Sequence, residues 1–183
     1  MSDRIIPEPW LSFLREIDLS LKTDVTFHCF GAFAITLLYG LPRVTSDIDV
    51  MSAVVGEHYG KLVTLAGKNS PLHEKYAVYL DFVGSIATVP DDYKHRLISI
   101  TPSPSEHVKL YVMEPHDIIL SKLNRGAPKD IQDVEYLARV ANIDTQVLRE
   151  RYQNELRHNV IGPPERVDQT PEVWIEIINE RRS

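Results

Sequence analysis

Asp47 and Asp49 stand two positions apart in the run DIDVM, residues 47–51. If that run is a strand, both carboxylates leave one face while Ile48 and Val50 take the other. Two carboxylates held side by side repel each other and raise each other's pKa unless a cation sits between them. Oxygen ligands on a strand suit Mg²⁺, which binds through one or two carboxylates and takes substrate phosphates as further ligands. A bare D-x-D also describes a strand end that meets solvent. Asp81 adds a third acid between Leu80 and Phe82 in YAVYLDFV (76–83), a segment that otherwise reads as core. Left unpaired there, an ionised carboxylate costs several kcal/mol, so the position calls for a cation or donors; the alternative is a strand-end Asp before Gly84. Three such acids on neighbouring strands can hold two divalent ions, one on a nucleophile and one on a leaving phosphate. Upstream, Gly31 stands where a strand passes into a helix. A glycine there lets backbone approach a ligand, and the first free N–H groups of the helix favour phosphate.

The elements that must position these residues are visible in the patterning. Trp10, Leu14, Ile17 and Leu21 share one face of a helix over 10–21. VTFHCF (25–30) is a short buried strand, Ala32–Tyr39 a helix stopped by Gly40 and Pro42, and 47–51 the second strand. A helix is expected over 58–66, a turn over 69–71 and the clearest strand over 76–83, with further strands over 97–100 and 108–113. Beyond Pro115 the pattern is helical: 115–123, 128–140, 145–157 and 171–181, with 159–169 as a loop. Strands early and helices late argue an α+β fold, a mixed sheet followed by a C-terminal helical tail. The expected division is a domain over 1–140 with a helical extension over 141–183 packed on it.

The chain of 183 residues is 43% hydrophobic and 25% charged, which excludes a largely disordered chain. A net charge of −6 gives no support to a general electrostatic grip on nucleic acid, although a local basic cleft remains compatible with it. The single cysteine, Cys29, excludes an intramolecular disulfide framework and a Cys-rich zinc site. No run reaches the roughly 20 apolar residues of a membrane span, and MSDRIIPEPW lacks the features of a secretory signal, so no membrane partner and a cytoplasmic setting are expected. The seven histidines are scattered without metal spacing, and Arg149, Arg151 and Arg157 alternate with Glu150 and Glu155, which reads as a salt-bridged surface rather than a strip for RNA.

Gly31-Ala32 followed by Arg43-x-Thr45-x-Asp47-Ile48-Asp49-Val50 resembles the nucleotidyltransferase fold of the DNA polymerase β superfamily. Within it the chain is most similar to small bacterial nucleotidyltransferase-like proteins related to the toxin half of abortive-infection type IV systems. MEPHDIILSKLNRGAPKDIQDVEYLA (113–138) matches the downstream Lys and the terminal acidic stretch of those proteins. The resemblance implies a Mg²⁺-dependent transfer of a nucleoside monophosphate from an NTP to an acceptor hydroxyl. The acceptor would be a tRNA end, a protein side chain or a small molecule; a toxin role with an antitoxin partner is a family-level analogy. It also implies that Asp47, Asp49 and Asp81 hold the metal, Asp81 being third ligand or base. Gly31 and the Ala32 amide would lie against the triphosphate, with Arg43 and Thr45 near phosphate; read from the residues alone, Arg43 either meets phosphate or pairs with an acid, and Thr45 shapes the loop before the strand. Lys122 would reach a phosphate, and Asp130 and Asp133 would orient Lys122 or the nucleotide. Ala32 stands where the commoner motif has Gly or Ser, so a hydroxyl contact is missing. Read without the resemblance, Lys122 is a solvated residue on a helix with Asp117, Ile118 and Arg125, and Asp130 and Asp133 are explained by helix capping. Two other readings fit the same residues: a catalytically degraded nucleotide- or protein-binding module, and a phosphohydrolase with water as acceptor.

Overall fold

The structure is a computed structural model and describes residues 5–51, 55–84, 89–100, 106–123 and 126–182. The chain divides into two compact units, residues 1–87 with 97–113, and residues 88–96 with 114–183.

The first unit carries the sheet. Its elements are α1 (Trp10–Ser20), β1 (Val25–Phe30), α2 (Gly31–Tyr39), β2 (Asp47–Met51), α3 (Tyr59–Ala66), α4 (Pro71–Tyr76), β3 (Tyr79–Val83), β4 (Ile98–Ser99) and β5 (Val108–Val112). The five strands lie in the order β3-β2-β1-β5-β4. β1 is parallel to β5 and antiparallel to β2, and β2 is parallel to β3, so the sheet is mixed and the fold α+β. Phe13, Leu14 and Ile17 of α1 are fully buried, as are Phe27 of β1, Phe33 and Ile35 of α2, and Ile48 of β2. Truncating a side chain of this kind to Ala costs about 2–5 kcal/mol.

Asp18 is the polar exception on α1. It is only 8% exposed because its carboxylate accepts the backbone N–H groups of Glu106, His107 and Val108 at 3.1, 2.6 and 2.8 Å. These are donors at the start of β5, and a carboxylate that takes several backbone N–H groups satisfies them in one place.

Two expectations are corrected here. The strand expected over 76–83 starts only at Tyr79, because Tyr76 closes α4. Ser70 caps that helix, its Oγ accepting the His73 N–H, Pro71 takes the first turn, and Ala77 turns left-handed at φ 58° before the strand. Asp81 is exposed rather than part of the core, because on the edge strand β3 it leaves the face opposite the buried Leu80.

The second unit is helical: α5 (Pro115–Ser121), α6 (Pro128–Val140), α7 (Thr145–Arg151) and α8 (Pro164–Arg182). The helix expected over 145–157 instead passes from α7 into a π turn over Tyr152–Leu156 and a 3₁₀ turn over Arg157–Asn159. Tyr152 and Arg157 from this stretch both bond Asp168. The loop expected over 159–169 ends early, since α8 begins at Pro164 and runs through Pro171. A proline inside a helix removes one backbone bond without necessarily ending it, which is why the sequence signal at Pro171 misplaces the start. Arg125 lies outside the described residues. Among the described residues no helix is long and apolar enough to cross a membrane.

Asp117 is completely buried in this unit and is held by Arg96 at 2.9 and 3.1 Å and by Arg151 at 2.9 Å. Glu155 also takes Arg96, and Glu114 takes Arg151 and the His116 ring. The Asp144 N–H donates to His116 Nε2, so the ring proton sits on Nδ1 and points at Glu114. Burial pushes the Glu114 carboxyl up, but His116 and Arg151 outweigh it and hold it at about 2.

Asp18→Ala leaves three backbone donors without their acceptor, and a urea titration should show a loss of about 3 kcal/mol, with Asp18→Asn losing less. Glu114 is depressed in the folded state, so its contribution is present above about pH 4.5 and is lost as pH falls toward 2. Glu114→Gln should therefore be less stable than the native chain by up to about 3 kcal/mol at pH 7, a gap that closes at acid pH in the same titration.

Candidate active site

β1 ends at Phe30, and Gly31 turns straight into α2 with φ +67°, a conformation side-chain-bearing residues rarely adopt. The space beside it is already taken. A Cβ on Gly31 would lie 2.0 Å from Asp49 Oδ2, so the Asp49 carboxylate occupies the place a side chain would fill. Phe30 is the register partner of Asp49 across the antiparallel β1–β2 pair, which fixes this approach. At the first turn of α2 the backbone amides and the helix dipole favour the negative charge.

The parallel β2–β3 pair brings in the third acid. Asp47 sits opposite Tyr79 and Asp49 opposite Asp81, while Ile48 and Leu80 fall on the buried face. Asp47 and Asp49 are half-buried and Asp81 is exposed, and one oxygen from each lies within 4.8 Å of the others. Thr45, 6% exposed, donates its hydroxyl to Asp47 Oδ1 and fixes that carboxylate from the loop before β2. Among the described residues no basic side chain forms an ion pair with Asp47 or Asp81.

The other candidates fall into three places. Ala32 is buried in the first turn of α2, where its carbonyl accepts the Thr36 hydroxyl at 2.9 Å. Arg43 is half-buried and lines a cavity of about 280 Å³ with Trp10, Thr45 and Tyr76. Lys122, Asp130 and Asp133 belong to the second unit, where all three are buried. Lys122 Nζ donates to Asp130 at 3.1 Å and to Asp133 at 2.9 Å, and Asp130 also accepts the Ala127 N–H ahead of α6 at 3.0 Å. Two of the three N–H groups of Lys122 are therefore spent on carboxylates.

Sequence reasoning missed Tyr79. It precedes Asp81 by two positions on the same strand and so shares its face, a spacing that was available to read. Burial pushes its phenol up, and Asp47, Asp81 and Asp49 add to this in that order. The His73 ring meets Tyr79 edge-on at 4.8 Å, and Lys68 Nζ lies 5.9 Å from the Tyr79 ring centre. Cys29 is fully buried, and burial raises its thiol with a further push from Asp49, so it is an inert packing residue. Arg149 is paired with Glu172, Arg151 with Glu114 and Asp117, and Arg157 with Asp168, which makes them a salt-bridged set.

A family model described as "Nucleotidyltransferase of unknown function (DUF6036)" matches residues 12–182 of the chain. No curated protein and no solved structure matches it.

Gly31→Ala forces Asp49 out of its place and adds left-handed strain of about 1–2 kcal/mol. Mn²⁺ titration followed by electron paramagnetic resonance should show at least about tenfold weaker binding, together with a lower melting temperature. Gly60→Ala, where an added Cβ meets nothing within 4 Å, should leave Mn²⁺ binding unchanged.

Proposed function

The chain belongs to this family of nucleotidyltransferases, and from that premise we propose that it transfers a nucleoside monophosphate from an NTP to an acceptor hydroxyl at Asp47, Asp49 and Asp81. The observation that carries this reading is the convergence of three carboxylate oxygens within 4.8 Å, two from one strand and one from its parallel neighbour.

The donor set fits a hard cation. Oxygens that share one Mg²⁺ lie about 3–4 Å apart in octahedral coordination, within a small side-chain adjustment of the observed spacing. Asp47, Asp49 and Asp81 would hold it, and a bound Mg²⁺ supplies charge neutralisation for the phosphates and a lower pKa for the attacking hydroxyl. Thr45 keeps Asp47 in one rotamer, and the missing side chain of Gly31 keeps Asp49 beside the start of α2. Asp81, exposed on the edge strand, either completes the ligand set or takes the proton of the acceptor hydroxyl. In the transfer, the acceptor oxygen forms a bond to the α-phosphorus, the bond from that phosphorus to the bridging oxygen breaks, and pyrophosphate leaves. Positioning and electrostatics account for catalysis of this kind.

Several roles rest on the resemblance. Gly31 and the Ala32 amide are assigned to the triphosphate and Arg43 to phosphate. Lys122 is assigned to a phosphate contact, with Asp130 and Asp133 holding its ammonium. The acceptor is a tRNA end, a protein side chain or a small molecule, and a cytoplasmic setting with ample NTP and Mg²⁺ suits each. A toxin role with an antitoxin partner is an analogy that no residue of the site argues for.

The test is incubation with each α-labelled NTP and Mg²⁺ in the presence of total RNA, lysate protein and a small-molecule extract. Label should enter one of the three fractions. Asp47→Asn and Asp49→Asn should each reduce incorporation at least about a hundredfold while keeping the native circular dichroism spectrum. Full activity in both variants would contradict the mechanism, and free nucleotide without a labelled acceptor would favour hydrolysis.

A further inference from the structure

The edge of the sheet beside the three carboxylates carries a cation on a built turn. Gly67, Lys68, Asn69 and Ser70 join α3 to α4, and the Ser70 N–H donates to the Gly67 carbonyl at 3.1 Å. Asn69 takes the left-handed conformation at φ 63°, and its N–H donates to His73 Nδ1 at 2.9 Å. A Cβ on Gly67 would lie 2.5 Å from the Val63 carbonyl oxygen, so this turn also excludes a side chain at its first position. The backbone on both sides of Lys68 is thus fixed, and its ammonium stands over the ring of Tyr79, the residue opposite Asp47. The His73 ring, whose Nδ1 also anchors the turn, packs against Tyr79 in an edge-type contact at 4.8 Å.

Among the described residues Lys22, Lys68, Lys94 and Lys129 make no ion pair or hydrogen bond, and of these four Lys68 is the one that lies over an aromatic ring. Lys75 is paired with Glu16, Lys61 with the Ser20 carbonyl, Lys109 with Asp24, and Lys122 with Asp130 and Asp133. The Lys68 ammonium lies 5.9 Å from the Tyr79 ring centre. An exposed ammonium over a ring whose residue pairs with Asp47 and stands two positions before Asp81 is placed for an anion that the carboxylates alone would repel.

We infer that Lys68, carried on the Gly67–Ser70 turn over Tyr79, binds the polyphosphate of the nucleotide. This rests on the nucleotide-transfer reading of the three carboxylates. Tyr79 and His73 are positioning residues, acting through Lys68.

The experiment is a calorimetric titration of the full chain with each NTP and with inorganic tripolyphosphate, all in excess Mg²⁺, alongside Mn²⁺ binding without nucleotide. Lys68→Ala should weaken both NTP and tripolyphosphate about tenfold or more and leave Mn²⁺ binding unchanged. Lys68→Arg and Tyr79→Phe should stay within about threefold of native, while Tyr79→Leu should lose as much as Lys68→Ala. Lys22→Ala, which removes an equal charge before β1, should change nothing. Native affinity in Lys68→Ala, or a loss for NTP but not for tripolyphosphate, overturns the inference and leaves the carboxylate site standing. A native chain that binds neither Mn²⁺ nor NTP overturns the nucleotide-transfer reading and this inference with it.

Discussion

One volume of space, contested by a helix start and a carboxylate, organises the first unit. Gly31 has no side chain, and the Asp49 carboxylate lies where one would be. That contact requires β1 to end at Phe30, α2 to begin without a linker, and β2 to pair with β1 in the single register that sets Phe30 against Asp49. Once that register is fixed, the parallel pairing of β3 decides which of its residues joins the acids, and it is Asp81. A slip of one residue would turn Asp47 and Asp49 into the core and Ile48 into solvent.

The two units treat charge differently. In the second, the buried acids among the described residues each have a cation: Asp117 has Arg96 and Arg151, and Asp130 and Asp133 share Lys122. Such saturated networks fix geometry, and removing one partner strands the other. In the first, three carboxylates converge, and the support seen for Asp47 is a neutral hydroxyl. Carboxylates gathered at that spacing repel one another, and the proposed Mg²⁺ would relieve that repulsion.

Much of this was legible in the residues. The period-two spacing of Asp47 and Asp49, and a third acid in the next strand, pointed to one face, and the glycine at the strand–helix junction pointed to a close approach. What that glycine approaches was not legible, because the contact with Asp49 depends on strand pairing across eighteen positions of sequence. The start of β3 was hidden by YAVYLDFV, whose alternation continues through residues that a Ser70 cap draws into α4. Asp81 read as buried because its neighbours are apolar, and only the strand order shows that β3 is an edge. Pro171 read as a boundary because sequence rules score the lost hydrogen bond, not the packing that carries α8 through it. The Lys68–Tyr79 contact joins a turn to a strand and has no sequence signature of its own.

The most direct test of the central claim is a crystal of the chain grown with Mn²⁺ and an NTP whose α,β-bridge cannot be cleaved, with anomalous scattering measured at the manganese edge. The account predicts an anomalous peak coordinated by oxygens of Asp47, Asp49 and Asp81, with the triphosphate against it. A peak bound elsewhere, or nucleotide bound with those three carboxylates turned away, would contradict it.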